Sequence, residues 1–125
     1  MTVPILATER DYEHTILGAA KILHWRSAHF RPARTNRGWR TPVGGDGAGF
    51  PDLVLIHPKA GFVWFVEIKR DDNRNLEPAQ KEWREALIAA GAVHRVVFVP
   101  SGLDAFLEDL KSATETRLAA KRGEG

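Results

Sequence analysis

Apolar positions along the chain fall into two patterns. Leu53-Val54-Leu55-Ile56 and Phe62-Val63-Trp64-Phe65-Val66 are unbroken runs. Runs this short and continuous read as strands buried on both faces. His57-Pro58-Lys59-Ala60-Gly61 joins them, and Pro58 and Gly61 mark a turn. The three pieces predict a β-hairpin over 52–69. Arg95-Val96-Val97-Phe98-Val99 predicts a further buried strand over 94–99. Elsewhere the apolar residues recur at helical spacing: Tyr12, Ile16, Ala19, Ala20 and Leu23, then Trp83, Leu87 and Ala90, then Leu103, Phe106, Leu107 and Leu110. These stripes predict helices over 9–24, 78–90 and 102–116. From Ser112 onward the stripe thins and charges dominate, so the C-terminal tail over about 117–125 is expected to fray.

Boundary residues agree with these elements. Thr8 with Asp11 three residues on fits a capping box, and Ser101 with Asp104 fits another. Pro78 suits the first position of a helix and Gly91 a helix stop. Glu77 is a weak N-cap, although its charge suits the helix dipole. A strand, a helix and a strand over 62–99 make a crossover, so those two strands should be parallel. The expected fold is therefore one α/β domain over residues 1–125, with a mixed central sheet flanked by helices. Trp25 to Arg31 alternates loosely and suggests a short strand. Residues 32–49 hold Pro32, Gly38, Pro42, Gly44, Gly45, Gly47 and Gly49. Such density predicts a long irregular loop, and loops this long in a compact domain are usually functional.

The charges that interrupt the hairpin carry the candidate chemistry. Asp52 opens its first arm, and Glu67 and Lys69 close the second. Side chains alternate along a strand, so Glu67 and Lys69 point the same way about 7 Å apart. A hairpin closed at 57–61 returns Asp52 to their level. Two carboxylates and an ammonium would then converge. Carboxylate oxygens are the donors that Mg²⁺ and Mn²⁺ prefer. An ion held by Asp52 and Glu67 would polarise a phosphate and acidify a water, and Lys69 would stabilise charge developing on phosphorus. The bland alternative is a solvated ion pair at a strand end. Asp71 and Asp72 fall beyond the strand and read as loop residues.

Gly49-Phe50-Pro51-Asp52, then Glu67-Ile68-Lys69, then Gln80 at a helix start together resemble the PD-(D/E)XK nuclease superfamily. Within it the chain resembles the small stand-alone VRR-NUC domains of phages and bacteria, from about Tyr12 to Leu110. The resemblance implies a restriction-endonuclease-like core. It implies that Gln80 approaches the site, that Glu13 on the first helix helps hold the metal, and that the Ile68 carbonyl adds a ligand. It also matches His29, Arg31, Arg34, Trp39 and Thr41 to a polar strip that contacts DNA. The implied activity is a Mg²⁺- or Mn²⁺-dependent DNA endonuclease. A small single domain of this kind resembles dimeric, structure-selective enzymes that cut branched DNA in repair and recombination.

Composition narrows the field further. The 125 residues are 43% hydrophobic and 27% charged, as in globular proteins, and contain no cysteine. No disulfide framework or thiolate zinc site is available, which suits a reducing cytoplasm. Met1 to Glu9 shows no secretory signal, and no stretch approaches the ~18 apolar residues of a membrane span. The net charge of +2 is unevenly placed. Arg26, Arg31, Arg34, Arg37 and Arg40 lie between His24 and Arg40 without one Asp or Glu. Such a stripe suits a polyanion, and the guanidinium fork pairs bidentately with phosphate. The alternative for the segment is a solvated basic loop. Trp39 suits either stacking on an unpaired base or anchoring in the core. The competing class for the whole chain is a non-catalytic DNA- or partner-binding module on the same fold. No residue distinguishes DNA from RNA.

Overall fold

The computed structural model describes the backbone of residues 7–30, 33–35, 38–40 and 45–123, with side chains for all of these except 33–35 and 38–40. The element order is α1 (Glu9–Ile22), β1 (Arg26–His29), β2 (Ala33–Thr35), β3 (Gly38–Arg40), β4 (Leu53–His57), β5 (Phe62–Arg70), α2 (Pro78–Ala89), β6 (Val93–Val99) and α3 (Leu103–Lys121). A four-stranded mixed sheet runs in the order β1-β4-β5-β6. β4 pairs antiparallel with both β1 and β5, while β5 and β6 are parallel across the α2 crossover. The fold is α/β, as the alternation of patterns predicts.

Alternation along β5 sorts its two faces. Trp64, Val66 and Ile68 join Ile16, Ala20, Phe106 and Leu110 in the core, beneath α1 and α3. Phe65 turns the other way and meets Phe50, whose ring packs edge-on against Trp83 of α2. The expectation that the hairpin is buried on both faces holds at its open end only. Near the turn, the cross-strand partners Ile56 and Val63 are 39% and 46% exposed. α2 packs over the other end and leaves them uncovered.

Three further expectations are corrected. The stretch 32–49 is not wholly irregular, because β2 and β3 pair antiparallel with Thr35 opposite Gly38. That register leaves two residues between the strands, the commonest hairpin length. Glycine and proline counts obscure so short a pairing. α3 does not end at 116 with a frayed tail beyond but runs on to Lys121. Thr114 is 2% exposed there, accepting from Trp25 Nε1 at 2.8 Å and donating to the Leu110 carbonyl at 2.6 Å. Arg117 lies over the Phe62 ring and donates to the Ala60 carbonyl. Polar contacts hold this end, and apolar periodicity does not register them. Finally, Gly102 rather than Ser101 caps α3. Ser101 is claimed by Asp71, to which it donates from its backbone N–H at 2.9 Å and its hydroxyl at 2.6 Å. The Thr8–Asp11 capping box of α1 is present as expected.

Candidate active site

The site forms where β4 begins, β5 ends and two helix N-termini approach. Each residue of Gly49-Phe50-Pro51-Asp52 has a local reason. Gly49 takes φ +80°, and a Cβ there would lie 2.5 Å from the backbone carbon of Ala79 in α2. Only glycine allows both the conformation and the approach. Phe50 is wedged among Phe30, Phe65 and Trp83, and Pro51 is fully buried. Trp83 Nε1 donates to the Asp46 carbonyl at 2.9 Å, tying the loop to the helix a second time. The chain therefore arrives at Asp52 with its direction set.

Asp52 Oδ2 accepts the backbone N–H of Ile68 at 2.8 Å. This bond places its carboxyl across the hairpin beside Glu67, close enough for its charge to raise the Glu67 pKa. Glu67 and Lys69 are only 2% and 7% exposed. Glu67 Oε1 accepts from Gln80 Nε2 at 2.9 Å, and Gln80 Oε1 accepts the Glu77 backbone N–H at 2.8 Å. Gln80 thus links the first turn of α2 to the carboxylates. Glu67 Oε2 is buried without a hydrogen-bond partner among the described residues.

Burial dominates the electrostatics. It raises the pKa of Asp52, against the Ile68 N–H that favours the charged form. Glu67 is pushed up to about 9, first by burial, then by the charge of Asp52, with Lys69 opposing. Without a cation, the two carboxylates hold a proton at neutral pH, centred on Glu67.

A second carboxylate of α1, besides the Glu13 that the resemblance implies, lies within reach of the Asp52 charge. Arg70 Nη1 donates to the Ala7 carbonyl at 2.9 Å, drawing the start of α1 against the end of β5. Glu9, in the first turn, therefore lies near the trio. Its pKa is raised by burial and then by Asp52, with Lys69 acting in the opposite sense. Glu13 is one turn further on, 3.0 Å from His29 Nδ1. His29 faces Leu53, and Leu53 faces Val66, so β4 lies between this pair and the strand that carries Glu67. Sequence reasoning passed over Glu9 because a Glu in a first helical turn is explained by the dipole alone.

Among the predicted DNA contacts, Arg31, Arg37 and Thr41 lie outside the described residues. Arg34, Trp39 and Arg40 belong to β2 and β3, where the backbone alone is described. Asp71, bound to Ser101, and Asp72, paired with Arg70 at 3.6 Å, are loop residues as expected.

The donor chemistry fits a divalent cation. A half-buried and a buried carboxylate lie together, one oxygen lacks a partner, and ionising both without a counter-charge is costly. Among the described residues, no three His, Cys, Asp or Glu side chains form a complete donor set. Mg²⁺ needs none, since it commonly takes one or two carboxylates and keeps several waters. No helix among the described residues is long and apolar enough to cross a membrane.

Comparison with known proteins agrees with this geometry. A solved structure described as a VRR-NUC domain matches at 26% identity with a TM-score of 0.61, covering 82% of this chain and 97% of that one. Another, described as a VRR-NUC domain protein, shares the fold at 22% identity and a TM-score of 0.52, covering 88% and 90%. No curated protein matches. The family model of the VRR-NUC domain matches residues 12–99, which include Asp52, Glu67, Lys69 and Gln80 but begin after Glu9. The chain belongs to the VRR-NUC domain family, and it is a nuclease-like DNA-processing domain.

Proposed function

We propose that this domain is a Mg²⁺- or Mn²⁺-dependent DNA endonuclease that selects branched DNA and works as a homodimer. One observation carries the hydrolytic reading: half-buried Asp52 lies beside buried Glu67, with Lys69 buried on the same strand. Asp52 and Glu67 would hold the cation, with Glu9, Glu13 and the Ile68 carbonyl as further candidates. Bound there, the ion supplies Lewis acidity toward a phosphate and toward water. The protein's own groups do the rest. The Ile68 N–H and Gln80 amide fix the two carboxylates in place. Lys69 offers a desolvated positive charge to the phosphorus centre as negative charge builds. The second N–H of the Gln80 amide would orient a water or a phosphate oxygen.

Asp52→Ala, Glu67→Ala and Lys69→Ala should each abolish cleavage in a panel of junction, flap, nicked and linear DNA, with circular dichroism showing intact folds. Full activity in EDTA would contradict the mechanism, and equal cutting of all four substrates would contradict structure selectivity. The homodimer reading is supported by the uncovered strip of Ile56 and Val63, since apolar patches of this kind commonly pair protomers. Two sites related by a two-fold axis would serve opposing strands of a junction. Sedimentation showing only monomers would contradict it. A non-catalytic DNA-binding module would bind no divalent ion, which titration calorimetry decides.

A further inference from the structure

The hairpin end of the sheet, remote from the carboxylates, carries a second cationic surface. Arg117, in the last part of α3, is anchored over the Phe62 ring at 4.3 Å and donates to the Ala60 carbonyl at 3.0 Å. Lys121 follows one helical turn later. A Cβ at Gly61 would lie 3.6 Å from Lys121 Nζ and 3.9 Å from Arg117 Nη1, so the two charges flank one point of the β4–β5 turn. Lys59 is exposed in the same turn. Among the described residues, no carboxylate pairs with Arg117 or Lys121. A groove of about 460 Å³ continues from Arg117 between β5 and α3, lined in part by Arg95, Ser112 and Thr116. Arg95 is already neutralised there by Asp109 at 2.8 Å. The free positive charge therefore sits at the Arg117–Lys121 end, with two hydroxyls nearby.

Positive charges held together without a counter-anion create a local field that draws an anion. Rigid arginine beside lysine and hydroxyl groups is the usual equipment for backbone phosphates. The placement decides which phosphates. Five residues of β5 separate Phe62 from Glu67, roughly 17 Å at the strand rise. Alternation also puts Phe62 on the sheet face opposite to Glu67 and Lys69. Duplex DNA is stiff over about 150 base pairs, so one straight duplex lying along the carboxylate rim does not turn the corner to Arg117. An arm leaving a branch point at an angle does. We propose that Arg117 and Lys121 hold the phosphate backbone of a second duplex arm while a first arm occupies the Asp52–Glu67 site. The proposal rests on the DNA-cutting reading and gives that reading a physical source of branch selectivity.

The test is salt-dependent binding, read by fluorescence anisotropy in EDTA on a four-way junction and on a linear duplex. Arg117→Gln, Lys121→Gln and the double variant are compared with wild type. Each lost phosphate contact should make the plot of log affinity against log salt shallower by about 0.9. The double variant is expected to lose roughly 1–2 from the junction slope and nothing from the linear slope. An unchanged junction slope, or the same change on both DNAs, overturns the proposal. If Arg117→Gln lowers the melting temperature, Lys121→Gln carries the test, because that side chain makes no packing contact comparable to Arg117 on Phe62. The two readings fail separately. Junction cleavage with no slope change overturns this surface alone. A slope change in a protein that never cleaves overturns hydrolysis and supports the surface as a binding site.

Discussion

Glu67 is the residue on which the site's physics concentrates. Its folded pKa of about 9 lies above the usual 4.5. Between those values the native state keeps a proton that the unfolded state gives up. The stability this proton provides is complete below pH 4.5 and is lost as pH rises toward 9. Metal-free protein should therefore lose melting temperature from pH 5 to pH 9 more steeply than Glu67→Gln, whose amide cannot ionise. Differential scanning fluorimetry in EDTA at several pH values checks this, and parallel curves would show that Glu67 is already ionised. Lys69 was legible from sequence because its i+2 spacing from Glu67 fixes a common side of the strand. Glu9 was not, because its place depends on a tertiary contact between Arg70 and Ala7 that no local pattern encodes.

At the scale of elements, the hairpin and crossover were legible because continuous apolar runs and turn residues are local signals. The close fit of Gly49 on α2 was not. A Cβ there meets Ala79 backbone and φ is positive, so Gly49→Ala should cost about 2 kcal/mol or more. It should also shift Gln80 and lower cleavage, whereas the neighbouring exposed Ala48→Ser should do neither. Urea unfolding and a cleavage assay read the two effects. The far end of α3 tells the same story in reverse. Its charged sequence suggests fraying, yet buried Thr114 joins it to Trp25. Thr114→Val keeps the volume and strands the indole N–H, so a loss of about 1–3 kcal/mol is expected in denaturant unfolding. No loss would mean that the helix end is held by Arg117 alone.

For the whole molecule, the α/β order and mixed sheet follow from the sequence of periodicities, and the converging trio follows from hairpin geometry. What local pattern could not show is how two helix N-termini are brought to one rim: α1 by Arg70, α2 by Gly49 and Gln80. That rim turns Asp52 and the buried Glu67 and Lys69 into a candidate metal centre. Mn²⁺ binding tests this most directly, followed by titration calorimetry at pH 7 in buffers of different ionisation enthalpy. Because Glu67 is protonated in the metal-free protein, Mn²⁺ should bind with release of about one proton, and Asp52→Ala should abolish binding. Absence of Mn²⁺ binding to wild type, or binding that Asp52→Ala leaves intact, would contradict the account.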